Sequence, residues 1–201
     1  MHSKKFMPSC THIDLLRHGE TRAGSVYLGR SDAPLSEHGY RQMAEVLPDA
    51  PRYHAVLSSP LARCVVFAQD YAQRHGMPLH RDARFREMDF GEWDGRSASE
   101  IAAADPDALE NFWRDPVACP PPQSEPLLSF QARVLAAWRE LPACYPGQRV
   151  LLVTHGGVMR IILCHLQQRP LSELLNLAVP HAALHRVSVE HEPQQIILAT
   201  A

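Results

Sequence analysis

Charge of one sign, cysteine pairs and long apolar runs are all scarce in this chain. Its 20 Lys and Arg stand against 22 Asp and Glu, a formal charge of −2. It therefore lacks the basic excess of a general nucleic-acid binder, and any anion site must be local. Five cysteines, Cys10, Cys64, Cys119, Cys144 and Cys164, are scattered, odd in number and free of C-x-x-C pairs. That pattern disfavours a disulfide framework and a thiolate metal site, and makes the cytoplasm the expected compartment. The longest apolar stretches, such as Val150 to Val153 and Val158 to Leu166, fall far short of a bilayer span. Met1 to Pro8 carries two lysines with no apolar segment behind them, so no signal peptide is expected.

What is present fits an ordinary globular chain. Hydrophobic residues make up 45% and charged residues 21% of 201 positions, enough for one domain with a substantial core. Twelve histidines are many, yet no helical H-x-x-x-H comes with a third ligand. His181 and His185 have the spacing but lie in a segment that alternates like a strand, so no metal site is expected there.

Apolar runs bounded by turn residues alternate with helix-period segments, which predicts a largely parallel sheet covered by helices. His12 to Leu16, His54 to Leu57 and Val150 to Val153 read as buried strands. After the second, Ser59 is placed to cap a helix with Pro60 in its first position, and Leu61, Cys64, Val65, Ala68 and Ala72 keep one apolar face. After the third, Gly156-Gly157 leads into an apolar helix through Val158, Ile161, Ile162 and Leu166. Phe130, Val134, Trp138 and Leu141 form the core stripe of a longer helix. Breakers at Trp93-Asp94-Gly95, Asp105-Pro106-Asp107 and Pro120-Pro121-Pro122 mark residues 88–126 as an insertion over the sheet. Residues 1–11 are expected to be disordered or extended, and Ala183 to Leu198, broken at Glu192-Pro193, reads as a closing hairpin.

Three strand ends carry chemistry: Arg17-His18 with Gly19-Glu20-Thr21 behind them, Arg63 just beyond the second, and His155 after the third. Ligands of open α/β sheets bind outside the carboxyl ends of strands, and helix N-termini favour anions. In order along the chain stand Leu16-Arg17-His18-Gly19-Glu20-Thr21, Pro34-Leu35-Ser36, Ser58-Ser59-Pro60-Leu61-Ala62-Arg63, Arg86-Glu87-Met88-Asp89-Phe90-Gly91-Glu92-Trp93-Asp94-Gly95 and Val153-Thr154-His155-Gly156-Gly157. This ordered set, spanning residues 13 to about 165, resembles the histidine phosphatase superfamily, the phosphoglycerate-mutase-like proteins.

The resemblance implies a three-layer α/β/α sandwich over residues 1–201 as a single domain, with a small helical insertion. It assigns His18 as the nucleophile that forms a phosphohistidine, Arg17, Arg63 and His155 as holders of the phosphoryl oxygens, and Glu87 as the acid and base. Thr21 and Gly156 join the expected phosphate site. Such a site needs no metal or cofactor, because fixed cations screen the phosphoryl charge while an imidazole with an ordinary pKa near 6.5 is a neutral nucleophile. Guanidinium forks match phosphate oxygens. Glu87 would have to be protonated near neutrality, as crowding by phosphate and partial burial would favour; Asp89 and Glu92 are its competitors.

Two departures stand out. Gly24 occupies the position where many relatives carry a phosphate-contacting asparagine, and Gln123-Ser124-Glu125-Pro126 stands where Gly-Gly-Glu-Ser is common. The short chain and the Phe90 to Gly95 segment resemble the phosphatase form rather than the mutases, and the run from Gly24 to Asp32 is similar to bacterial alpha-ribazole phosphatases. A small-molecule phosphate ester is the expected partner, with no nucleic acid or membrane, for a monomer or homodimer. Trp93, Phe112 and Trp113 are candidate walls for a flat base. A broad-specificity sugar or nucleotide phosphatase, a phosphoglycerate mutase and a non-catalytic binder remain open alternatives.

Overall fold

A computed structural model describes residues 10–48 and 53–190, with the backbone of 196–198. Six strands form one sheet: β1 (Cys10–Arg17), β2 (Ala55–Ser58), β3 (Leu79–Arg81), β4 (Arg149–Thr154), β5 (Leu184–Glu190) and β6 (Ile196–Leu198). Their order is β3-β2-β4-β1-β5-β6. The first four in that order run parallel, while β5 pairs antiparallel with β1 and with β6. The chain is thus an α/β protein with a mostly parallel sheet.

Both faces of the sheet are covered, and the period-two alternation of strand side chains decides what each face meets. Ile13, Leu15, Leu57, Val150 and Leu152 point to a core shared with α5 (Leu127–Cys144) and α6 (Gly156–Leu166). Leu16, Val56, Leu151 and Val153 point the other way, to α1 (Glu37–Glu45) and α2 (Ala62–Arg74). Asp14 is buried on the second face, where Tyr53 Oη donates to it at 2.7 Å and Arg149 Nη1 lies 3.3 Å away.

Between residues 88 and 126 lie α3 (Ala98–Ala104) and α4 (Pro106–Arg114). Ser97 and Glu100 form a capping box at the first, and Asp105 caps the second with Pro106 at its start. Ile101, Leu109 and Phe112 pack with Trp93 into a separate small core beside Tyr27 and Phe90.

The expected strands are found within a residue or two of their predicted bounds. The expected cap of α2 is not: the helix begins at Ala62, and Leu61 at its N-cap makes no side-chain bond. Ser59 Oγ accepts a long bond from Leu61 N at 3.4 Å and a shorter one from His155 Nε2 at 2.7 Å, and the Ala62 N–H is capped from 30 residues away by the Asp32 carboxylate at 2.6 Å. Of the N-terminus expected to be disordered or extended over 1–11, Cys10 and Thr11 are extended as the start of β1, paired with Glu190 and Val189. Residues 1–9 and the break at Glu192-Pro193 lie outside the described residues.

Phe67 is fully buried on α2 between the rings of Tyr40 and Tyr71, at centroid distances of 5.1 and 5.9 Å. Phe67→Ala should cost about 3–5 kcal/mol of stability, read as a lowered urea midpoint at unchanged slope.

Candidate functional site

β1 and β4 are neighbours, with Arg17 opposite Thr154, yet the chain leaves them toward opposite faces, to α1 and to α6. Such a switch point opens a crevice at the carboxyl ends of the strands. A cavity of about 630 Å³ lies there, lined by Arg17, His18, Thr21, Gly24, Glu87, Gly156, Gly157, Arg160 and His181, and by an aromatic group of Tyr27, Phe90, Phe112 and Trp113.

His18 is buried at the end of β1, its backbone N–H donating to Thr154 O at 2.9 Å. Its ring Nδ1 lies 2.8 Å from the carbonyl oxygen of Gly19. A carbonyl only accepts, so Nδ1 carries the hydrogen and Nε2 keeps its lone pair. Burial, reinforced by the Arg17 charge, holds the His18 pKa well below 6.5, so the imidazole is neutral near pH 7.

Arg17 is held by a 2.6 Å bond from Nη1 to Val179 O, while its buried Nε has no partner. Burial is the main cause of its lowered pKa, about 10, and the nearby Glu87 charge opposes that shift. Glu87 accepts from the backbone N–H groups of Met88 and Gly157, both at 3.0 Å, which seats it on the N-terminus of α6. A Cβ at position 157 would occupy the place of the Glu87 carboxylate, so glycine lets the carboxylate seat against this backbone. Glu87 is positioned from behind by Arg133, whose Nη atoms donate to the carbonyls of Arg84, Arg86 and Glu87 at 2.7, 2.7 and 2.9 Å.

His155 and Arg63 stand behind His18 and do not line the cavity. The His155 ring lies 5.3 Å from that of His18 and is completely buried. Arg63 Nε–H donates to its Nδ1 at 3.2 Å, so Nε2 carries the hydrogen that goes to Ser59 Oγ. The remaining bonds of Arg63 reach the carbonyls of Ser31, Leu28 and Gly29 at 2.8, 3.0 and 2.8 Å. The guanidinium expected to face the phosphate is therefore engaged with a loop. Gly24 lines the cavity with a positive φ of 73° and open space around it.

The reading from sequence missed three groups. Arg160 follows Gly156 by four residues and so shares its helix face, a spacing that could have revealed it. His181 stands exposed at the rim with its ring 5.6 Å from His18, in a turn tied to β1 by bonds from Arg17 N to Ala183 O and from Ala182 N to His18 O. No local signal places that turn. Tyr27 and Phe90 join the aromatic lining, whereas Trp93, expected as a wall, is buried beneath Tyr27 and Phe112. Among the described residues no group of three or more His, Cys, Asp or Glu could hold a metal ion, and no helix is long and apolar enough to cross a membrane.

Two guanidiniums, those of Arg17 and Arg160, thus line this pocket beside a neutral, buried imidazole. Residues 13–200 match the histidine phosphatase superfamily (branch 1), and the chain belongs to that family. It is 28% identical over 180 residues to the adenosylcobalamin/alpha-ribazole phosphatase of Salmonella typhimurium, covering 87% of this chain and 89% of that protein. Against glucosyl-3-phosphoglycerate phosphatase of Mycolicibacterium vanbaalenii the identity is 33% over 168 residues, covering 78% and 74%. The solved structure of YhfR from Bacillus stearothermophilus superposes with a TM-score of 0.83 at 28% identity, covering 94% of this chain and 95% of that one. With phosphatase-named relatives across nearly its whole length, the chain is a phosphoric monoester hydrolase of this superfamily.

Burial holds His155 neutral as well. A folded pKa depressed below the unfolded value contributes stability that is present above pH 6.5 and lost as the pH falls. Urea midpoints should therefore drop between pH 7 and pH 5, and His155→Gln should flatten that slope.

Proposed function

We propose that the protein hydrolyses a small phosphomonoester through a phosphohistidine on His18, without a metal. The observation that carries this is the pinned tautomer of His18: Nδ1 is bonded to Gly19 O, and the free lone pair of Nε2 belongs to a ring that lines the cavity beside Arg17. In the first step Nε2 attacks phosphorus in line, the bond to the leaving oxygen breaks, and Glu87 in its protonated form gives that oxygen a proton. In the second, water attacks phosphorus, the N–P bond breaks, and the Glu87 carboxylate takes the proton of the water. His18 and Glu87 return to their starting states.

Arg17 supports both steps. Its unpartnered Nε–H, and the Nη2 group that no protein oxygen holds among the described residues, are available to nonbridging oxygens. A guanidinium desolvated by its surroundings stabilises developing charge more strongly than one in water. In this proposal Thr21 and the Gly156 N–H line the same phosphoryl site. Arg63 has donors engaged with His155 and three carbonyls, leaving one N–H of its five for a phosphoryl oxygen. His155 supports His18 from its buried side.

The leaving group would lie against Tyr27, Phe90, Phe112 and Trp113, where Trp113 Nε1 donates to Tyr27 Oη at 3.0 Å and fixes the two rings together. Flat aromatic faces suit a flat base. That wall supports alpha-ribazole 5′-phosphate, the ester expected from the sequence, as the substrate. Cobalamin assembly in the cytoplasm is the corresponding setting.

His18→Ala should abolish turnover and the acid-labile phosphoprotein, and EDTA should leave wild-type activity intact. Glu87→Gln should slow an alkyl phosphate by at least tenfold more than p-nitrophenyl phosphate, whose leaving group needs no proton; equal losses would remove Glu87 from the acid role. In a substrate panel, kcat/KM for alpha-ribazole 5′-phosphate should exceed that for phosphoserine and ribose 5-phosphate, and Trp113→Ala should narrow the gap. Conversion of 3-phosphoglycerate to 2-phosphoglycerate without release of phosphate would instead identify a mutase.

A further inference from the structure

Arg160 has no role in the reaction as derived above, yet it is among the polar groups that line the cavity. It projects from the first turns of α6, and its Nε donates to Leu177 O at 2.9 Å, which fixes the plane of the guanidinium. No hydrogen bond or carboxylate pairs with its Nη groups among the described residues. Glu87 is its strongest charged neighbour, and burial lowers its pKa. A guanidinium whose Nη groups face a cavity with no protein partner is available to an anion there.

Its position says which anion. The point where a Gly156 Cβ would stand is 3.0 Å from Arg160 Nη1 and 3.3 Å from Arg17 Nε, so the two guanidiniums flank the same glycine. Arg17 and Glu87, the groups on either side of the bond being broken, are both neighbours of Arg160. Arg63 offers much less, since its donors go to three carbonyls and to His155.

We infer that Arg160 is a catalytic residue, a further guanidinium that, with Arg17, grips the oxygens of the transferring phosphoryl group across Gly156. This rests on the phosphomonoesterase reading and adds a residue to it. Arg63 holds the loop of Leu28 to Ser31 and the tautomer of His155, with one N–H left over.

The test uses p-nitrophenyl phosphate, whose only anionic group is the phosphoryl itself, with orthovanadate as a competing anion. Arg160→Met should lower kcat/KM about 100-fold and weaken orthovanadate inhibition by a similar factor. Arg160→Lys, which keeps the charge but not the fork, should fall between Arg160→Met and wild type in both measurements. A loss seen only with phosphoserine or 3-phosphoglycerate would overturn the inference, because Arg160 would then bind a second anionic group on the leaving side. Unchanged kinetics in both variants would overturn it too. Titration of inorganic phosphate into wild type and Arg160→Lys by calorimetry keeps the two proposals separable. If the wild type hydrolyses no ester, the phosphomonoesterase reading fails, while weakened phosphate binding by the variant would still support the clamp and unchanged binding would overturn it.

Discussion

A guanidinium removed from water needs oxygen atoms, and in this protein most of them are backbone carbonyls. Arg63 takes those of Leu28, Gly29 and Ser31, Arg17 that of Val179, Arg160 that of Leu177, and Arg133 those of Arg84, Arg86 and Glu87. Charge-assisted hydrogen bonds of this kind are stronger than neutral ones, and leaving a buried charge without them is expensive. The segments that donate the carbonyls are irregular, and they are the ones that surround the pocket. Each arginine thereby ties a loop that has little regular structure of its own to the rigid strand ends. The constraint acts in both directions, since the loops are placed by the cations and the cations are desolvated by the loops.

Burial, reinforced by that concentration of positive charge, explains the state of the histidines. Burial lowers the pKa of His18 and His155 first, and the neighbouring arginines lower it further. An imidazole held neutral is useful as a nucleophile only if the correct nitrogen is free, and the Gly19 carbonyl settles which one. His155 is held in a complementary way between the Nε–H of Arg63 and the Oγ of Ser59. The two rings therefore differ in what they can do, although both are buried and neutral. His18 presents a free lone pair beside the cavity, and both ring nitrogens of His155 are engaged behind it.

The strands and the order of the motifs were legible because both follow from local pattern. A run such as Val150 to Val153 has one plausible fate, and glycine pairs after it signal a close approach, as the contact of Glu87 with Gly157 illustrates. The cap of α2 was not legible, because the carboxylate that provides it belongs to Asp32, 30 residues earlier. Arg63 shows the deeper difficulty. Its residue type and place after β2 suit a phosphate site, but the direction of a long side chain depends on which acceptors the fold brings near it, here a loop in the preceding segment. Arg160 was open to discovery from its spacing to Gly156, whereas His181 was not, because nothing local predicts a turn that closes on β1 from the far end of the chain.

The two ends of the pocket rest on different cores. Arg17, His18, Gly156 and Arg160, which meet the phosphoryl group in the proposed reaction, come from the end of β1 and the start of α6, which share the main cores of the sheet. The aromatic wall comes from Tyr27, Phe90 and α4, which pack on Trp93, Ile101 and Leu109 as a cluster of their own. Changes in one cluster that do not touch the other tend to add independently. Phe90 packs against both clusters and Tyr27 adjoins the loop held by Arg63, so changes at these two positions are coupled to the cations, whereas Trp113 is exposed and freer to change. Arg160, on α6 but near Tyr27, is where the two ends meet. Its free Nη groups thus lie between the strand-end cations and the aromatic wall.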